Sequence, residues 1–339
     1  MNEPTPDVIT TDFKDRRGGL IAFGIVLILL GCVCVLLVAM MVLTQVWMQP
    51  AASASGPRPD VMAGGYRTML GASLVYGALA VMFIWLGIGS IMTRRWARVL
   101  VLILSWTWLI TGVIAVVGIA AILPTALSTA MPPGAEPIPE GARTAIVAGT
   151  AGCLSVFFVL LPVAFALFFR SRHVKATCDA RDPVVRWTDA CPPAVLGLSV
   201  ALGAGAVSFP LMMVMNPVVV PCFGILLSGA PAAAALLVMA AAWAYCAWAT
   251  CKLKPEGWWA TVVIFAVSTV SALLTLWRVD LVEIYRLMKY PEEQLAQIQQ
   301  FGFVTNRCML AWVAFCSLLM FGYLWYVKKY FPHRNGTSQ

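Results

Sequence analysis

Thr261, Ser268, Ser271 and Thr275 bring four hydroxyls into one apolar stretch. Residues three and four apart share a helix face, so the last three form a polar stripe with Thr261 two turns earlier. Inside a hydrocarbon environment such a stripe has two uses. It could line a path for a neutral or lipid-like substrate. It could instead bond neighbouring helices and its own backbone, which is the more frequent use.

A second group sits in a polar segment. Cys178 and Cys191 share it with His173, Asp179, Asp182 and Asp189. These are metal-ligand types, but one His followed by two lone Cys matches no zinc spacing. A simpler reading accounts for the segment. Its basic residues hold it at an anionic leaflet, Trp187 lies at the interface, and Pro192-Pro193 opens the next helix. No metal or other cofactor is expected.

Absences decide most of the remaining chemistry. The only histidines are His173 and His333, and no HExxH, P-loop, GxGxxG or CxxC occurs. That leaves no zinc-protease motif, no bis-histidine haem pair inside a membrane and no phosphate-cradling loop. No acid, base and nucleophile can be nominated that would meet, so no enzyme is expected.

The elements that must carry these residues follow from composition. Of 339 residues, 61% are hydrophobic and 11% charged, whereas soluble domains carry about 25% charge. Eight runs contain no Asp, Glu, Lys, Arg or His: 19–43, 68–92, 99–123, 144–169, 194–215, 222–251, 258–277 and 308–327. Each is long enough to cross a core roughly 30 Å thick as a helix. None alternates as barrel strands do. The expected fold is all-α, a polytopic transmembrane helix bundle of about eight spans. Ionisable residues inside spans mark proton relays and voltage sensors. With none in these runs, such functions are disfavoured.

The net charge of +8 is not a nucleic-acid footprint, and no nucleic acid is expected as a partner. Its distribution gives orientation instead. Of the 23 Lys and Arg, sixteen fall in the tails and in loops 93–98, 170–193 and 252–257, and seven in the alternate loops. That excess is the positive-inside signal. It predicts an N-in, C-in protein, multi-pass in a cell membrane, with a bacterial cytoplasmic membrane as the expected setting.

The organisation expected is a tail 1–18, a four-helix half 19–169, a basic loop 170–193, a second four-helix half 194–327 and a tail 328–339. Trp96-Ala97-Arg98-Val99 and Trp259-Ala260-Thr261-Val262 open the third helix of each half, a faint sign of duplication. The sixth run is interrupted by Pro231. It is expected as one helix broken by a kink at Pro231, the alternative being a re-entrant 222–229 followed by a span. Residues 49–67 are expected to be flexible, and 124–143, with five prolines, irregular. Rows of small residues, Gly197, Ala201 and Gly205, then Ser73 and Gly77, predict close helix approach.

The last external loop, 278–307, reads as an amphipathic helical hairpin. Leu281, Val282, Tyr285 and Met288 form one apolar face. A second helix would start at Pro291 with Leu295, Ile298 and Phe301 inward. The function expected is interaction or scaffolding within a membrane complex, through this hairpin or the 170–193 loop, with membrane lipids around the spans. The alternative is a transporter or channel for a neutral or lipid-like substrate.

Overall fold

A backbone amide left unbonded in hydrocarbon is costly, so a chain this apolar closes its hydrogen bonds within helices. The computed structural model describes residues 14–54, 59–129, 139–215, 218–288, 290, 295 and 306–331. In chain order the helices are α1 Arg17–Ala54, α2 Pro59–Ile91, α3 Arg95–Thr129, α4 Glu140–Ser155, α5 Leu161–Arg170, α6 Arg172–Arg181 and α7 Trp187–Ala190. Then come α8 Pro193–Met215, strands β1 Val219–Cys222 and β2 Ile225–Ser228, α9 Ala230–Cys251, α10 Pro255–Arg278, α11 Leu281–Leu287 and α12 Asn306–Lys328. Among the described residues, eight helical stretches are long and apolar enough to span a membrane, and each overlaps one of the eight apolar runs. The chain is an all-α polytopic membrane protein.

Two stretches read as irregular are helical in part. The first helix continues to Ala54 and the second begins at Pro59, while Pro124 stands inside α3. Alanines favour the first extension, and neighbouring groups make proline tolerable in a membrane helix.

The contacts divide the chain into two compact units. Unit 1 comprises residues 1–35, 79–118 and 149–189. Its core gathers Leu20, Leu27, Leu86, Val101, Phe165 and Phe169 with Val174 and Cys178. Phe23 lies among these rings, stacked on Phe168 at 4.5 Å and edge-on to Phe165 at 4.8 Å. The α1–α2 crossing is made by absent side chains. A Cβ on Gly24 would lie 2.9 Å from the Gly87 carbonyl oxygen, and one on Gly87 would lie 2.8 Å from the Gly24 oxygen. One heptad along, a Cβ on Gly31 would lie 3.1 Å from the Ala80 oxygen.

Between α4 and α5 the helix widens into a π turn, Val156–Leu160. Pro162 explains it: having no N–H, it cannot serve the carbonyl of Phe158 four residues back. The amide of Leu161 bonds to Val156 instead. The Phe158 carbonyl is met by the backbone of α3 at Gly112, where a side chain would collide with it.

Unit 2 comprises residues 36–78, 119–148 and 190–339. Its α8–α9 packing seats the Trp243 ring directly on Gly205, with Phe209 edge-on to that ring at 5.3 Å. Gly77, by contrast, faces open space. Polar side chains cross-link the helices. Ser199 Oγ donates to the Ala247 carbonyl at 2.5 Å, Tyr323 Oη to that of Ala194 at 2.6 Å, and Trp258 Nε1 to that of Leu324 at 2.9 Å.

The sixth run is not one kinked helix. Residues 219–228 form a two-stranded antiparallel hairpin, pairing Val219 with Ser228 and Cys222 with Ile225. Phe223 and Gly224 make its turn with φ of 50° and 91°, the doubly left-handed geometry of a two-residue hairpin loop. Helix α9 starts only at Ala230, with Pro231 in its first turn, where its missing N–H leaves nothing unbonded. Pro231 therefore opens a helix and breaks none. The β-branched run Val218-Val219-Val220 favours the strand.

Past the C-terminal end of α10, Asp280 caps α11, its Oδ1 accepting the Val282 amide at 3.3 Å. Asn306 ties three helix ends together. Its Oδ1 accepts from the Leu281 amide at 3.0 Å, and its Nδ2 donates to Leu276 and Val279 carbonyls at 3.1 and 2.8 Å. The second helix expected in 278–307 lies outside the described residues except for Leu295, which is buried.

Candidate functional site

In unit 1, the turn from α2 into α3 places Thr93 at a φ of 55°, so that α3 begins at Arg95 with its first amides unsatisfied. The carboxylate of Asp182, just past the end of α6, fills that place. Its Oδ2 accepts the Arg95 amide at 3.2 Å and Arg186 Nη1 at 2.7 Å, and its Oδ1 accepts Arg94 Nη1 at 3.3 Å. An anion at a helix N-terminus is favoured by the dipole as well as by the bond. The Asp182 side chain is 1% exposed. Burial pushes its pKa up. The hydrogen bonds from Arg186 and the Arg95 amide, with the charges of Arg186 and Arg94, outweigh burial and hold it below the usual carboxylate value.

More bonds lock the segment around this anion. Arg95 Nη2 donates to the Asp179 carbonyl at 2.9 Å, and its Nε lies 3.3 Å from the Asp179 carboxylate. Arg181 pairs with Asp15 at 2.8 Å. The Arg16 amide donates to Thr177 Oγ1 at 3.1 Å, and the Arg186 amide to Asp189 Oδ2 at 2.9 Å. Burial pushes the Cys178 thiol up to about 11, which makes it a small apolar side chain at neutral pH. Among the described residues no three His, Cys, Asp or Glu gather as a metal site.

Held by these bonds, the stretch from the end of α6 into the first residue of α7 turns its apolar residues outward. Val184 is 54% exposed, Val185 70% and Trp187 62%. Exposed cations, Arg172, Lys175 and Arg181, lie on the preceding helix. The sequence marked Asp182 only as a ligand type. Its place beyond α6, with arginines on both sides in sequence, was the available signal for an anchor.

The hydroxyl stripe in unit 2 meets the hairpin. Ser271 Oγ accepts the Phe223 amide and Thr275 Oγ1 the Gly224 amide, each at 3.0 Å. Ser271 Oγ also donates to the Pro221 carbonyl at 3.3 Å, and Thr275 Oγ1 to the Ser271 carbonyl at 2.8 Å. Thr261 is buried and donates to the Gly257 carbonyl of its own helix at 2.7 Å. Ser268 is half-buried and takes no part in holding the turn. The structure thus sets Ser271 and Thr275 of the stripe against the hairpin turn. A two-residue hairpin turn points its amides away from the ladder, and the stripe supplies their acceptors.

Compared with protein-family models, curated proteins and solved structures, the chain matches none.

Proposed function

We propose that the chain is an interaction protein of the membrane, a component of a larger assembly, which docks a protein partner on the 170–193 segment at the inner face. One observation carries the reading: a polar-side segment fixed by a buried carboxylate, with two valines and a tryptophan facing outward. Rigid exposed aromatic and aliphatic anchors are what interfaces use as hot spots. A surface already ordered loses less freedom on binding. The cations on α6 suit a partner whose rim is acidic. The Lys and Arg excess supports an inner position for this segment, and α11 offers a second surface on the other side.

Transport of a neutral or lipid-like substrate is the alternative. In the sequence it rests on the hydroxyl stripe, the interruption of the sixth run at Pro231 and the faint sign of duplication between the two halves. Ser271 and Thr275 each accept one hairpin-turn amide and donate their one proton to a backbone carbonyl, and Thr261 donates within its own helix, which favours the interaction reading. No catalytic role is assigned. Extraction in a gentle detergent followed by amine crosslinking tests the proposal. A reproducible protein neighbour is expected, and a lone monomer with none would contradict it.

A further inference from the structure

The two units treat their cations differently. In unit 1, Arg94, Arg95, Arg181 and Arg186 each lie within ion-pair distance of an aspartate. In unit 2, the α9–α10 turn carries Lys252 and Lys254, and the end of α12 carries Lys328 and Lys329. Among the described residues none of these four pairs with a carboxylate; Glu256, the acid nearest in sequence to Lys252 and Lys254, is exposed in the first turn of α10.

The ammonium groups of Lys254, Lys328 and Lys329 rest on aromatic rings instead. Lys328 Nζ lies 5.2 Å from the Trp258 ring centroid, 5.9 Å from Trp259 and 5.2 Å from Trp325. Lys329 Nζ lies 4.0 Å from Tyr326 and 5.1 Å from Tyr330, and Lys254 Nζ 4.2 Å from Trp248. The frame is fixed: Trp258 is buried, and its indole N–H is the one bonded to Leu324. A ring face attracts an ammonium without accepting its protons into strong hydrogen bonds. An ammonium has three donors, so these lysines are held in place with donors to spare.

We propose that this end of unit 2 binds the phosphate headgroup of an anionic phospholipid. The lysines supply charge and donors, and the largely exposed Trp259 and Trp325 rings lie where amphipathic side chains meet headgroups. An exposed apolar row descends α10 from Trp259 through Val263, Val267 and Val270, spaced to follow one helix face. It gives the acyl chains a surface continuous with the lysines, which a free phosphate would not use. The Lys and Arg excess assigns this end to the inner leaflet, where anionic lipids concentrate.

Native mass spectrometry of the full chain, with equal phosphatidylglycerol and phosphatidylcholine, tests the site. Phosphatidylglycerol should be retained about tenfold over phosphatidylcholine. The triple variant Lys254→Gln, Lys328→Gln, Lys329→Gln should lose that preference. The matching Lys→Arg triple should keep it, which separates lost charge from lost fold. No preference in the native chain, or an unchanged preference in the Gln triple, would overturn the proposal. So would inorganic phosphate displacing phosphatidylglycerol at equal concentration, since the site would then take phosphate without a lipid.

Discussion

The carboxylate of Asp182 caps the first amide of α3, accepting the Arg95 N–H at 3.2 Å while Arg186 approaches at 2.7 Å. One buried anion therefore sets both the start of a membrane helix and the pose of the 183–187 tip. Removing one partner of a buried ion pair leaves the others uncompensated, at about 3–5 kcal/mol when fully buried. Arg94 and Arg186 are about a third exposed, so water screens part of that loss. Asp182→Ala should cost roughly 1–3 kcal/mol, read as a lower unfolding temperature and faster proteolysis after Arg181 and Arg186. The pKa of Asp182 is depressed in the folded chain. Its contribution is therefore present above the unfolded carboxylate value of about 4 and is lost as the pH falls through the lower folded value. Proteolysis of the tip should rise only in acid, and Asp182→Asn should abolish that dependence.

The hydroxyls of Ser271 and Thr275 should be needed for the hairpin. Each Ala substitution leaves a turn amide without its acceptor, at about 1–3 kcal/mol. Hydrogen exchange at Phe223 and Gly224 should speed up in Ser271→Ala and Thr275→Ala, and stay slow in Thr275→Ser. Unchanged exchange in both Ala variants would mean the bonds do not hold the turn.

The Gly24–Gly87 crossing should not accept a methyl group. In Gly87→Ala the new Cβ would stand 2.8 Å from the Gly24 oxygen, and the overpacking should cost about 1–3 kcal/mol. Gly77→Ala, with nothing within 4 Å, should be tolerated. Thermal unfolding in detergent compares the two.

These sites show what a single sequence makes legible. Spans can be read because a run such as 99–123 has no charge and only one structure can carry it through hydrocarbon. The hydroxyl stripe could be read as a stripe, since three- and four-residue spacing fixes a face. Its target could not, because the hairpin turn lies 48 residues away from Ser271 and reads as apolar helix. The turn pair Phe223-Gly224, following three valines, was the local sign. Gly24 and Gly87 escaped for a related reason. Their spacing to Gly31 and Ala80 is a heptad, not the four-residue rhythm of Gly197, Ala201 and Gly205. Only the partner helix shows that the gaps coincide.

Orientation has its own test. With Val185→Cys and Tyr285→Cys introduced singly into a cysteine-free chain, an impermeant thiol reagent applied to intact cells should label residue 285 and spare residue 185. Equal labelling of both from outside would remove the N-in arrangement and the inner docking face with it.

Docking itself is tested most directly at the tip. A photo-crosslinking amino acid placed at Val185 and, separately, at Leu318 within the last span, which is 72% exposed, should give different products in membranes. Position 185 is predicted to yield one protein adduct of constant mass, which disappears when Trp187→Ala is added. Position 318 should yield none. Lipid adducts alone from position 185, or a protein adduct that Trp187→Ala leaves unchanged, would contradict the proposed docking site.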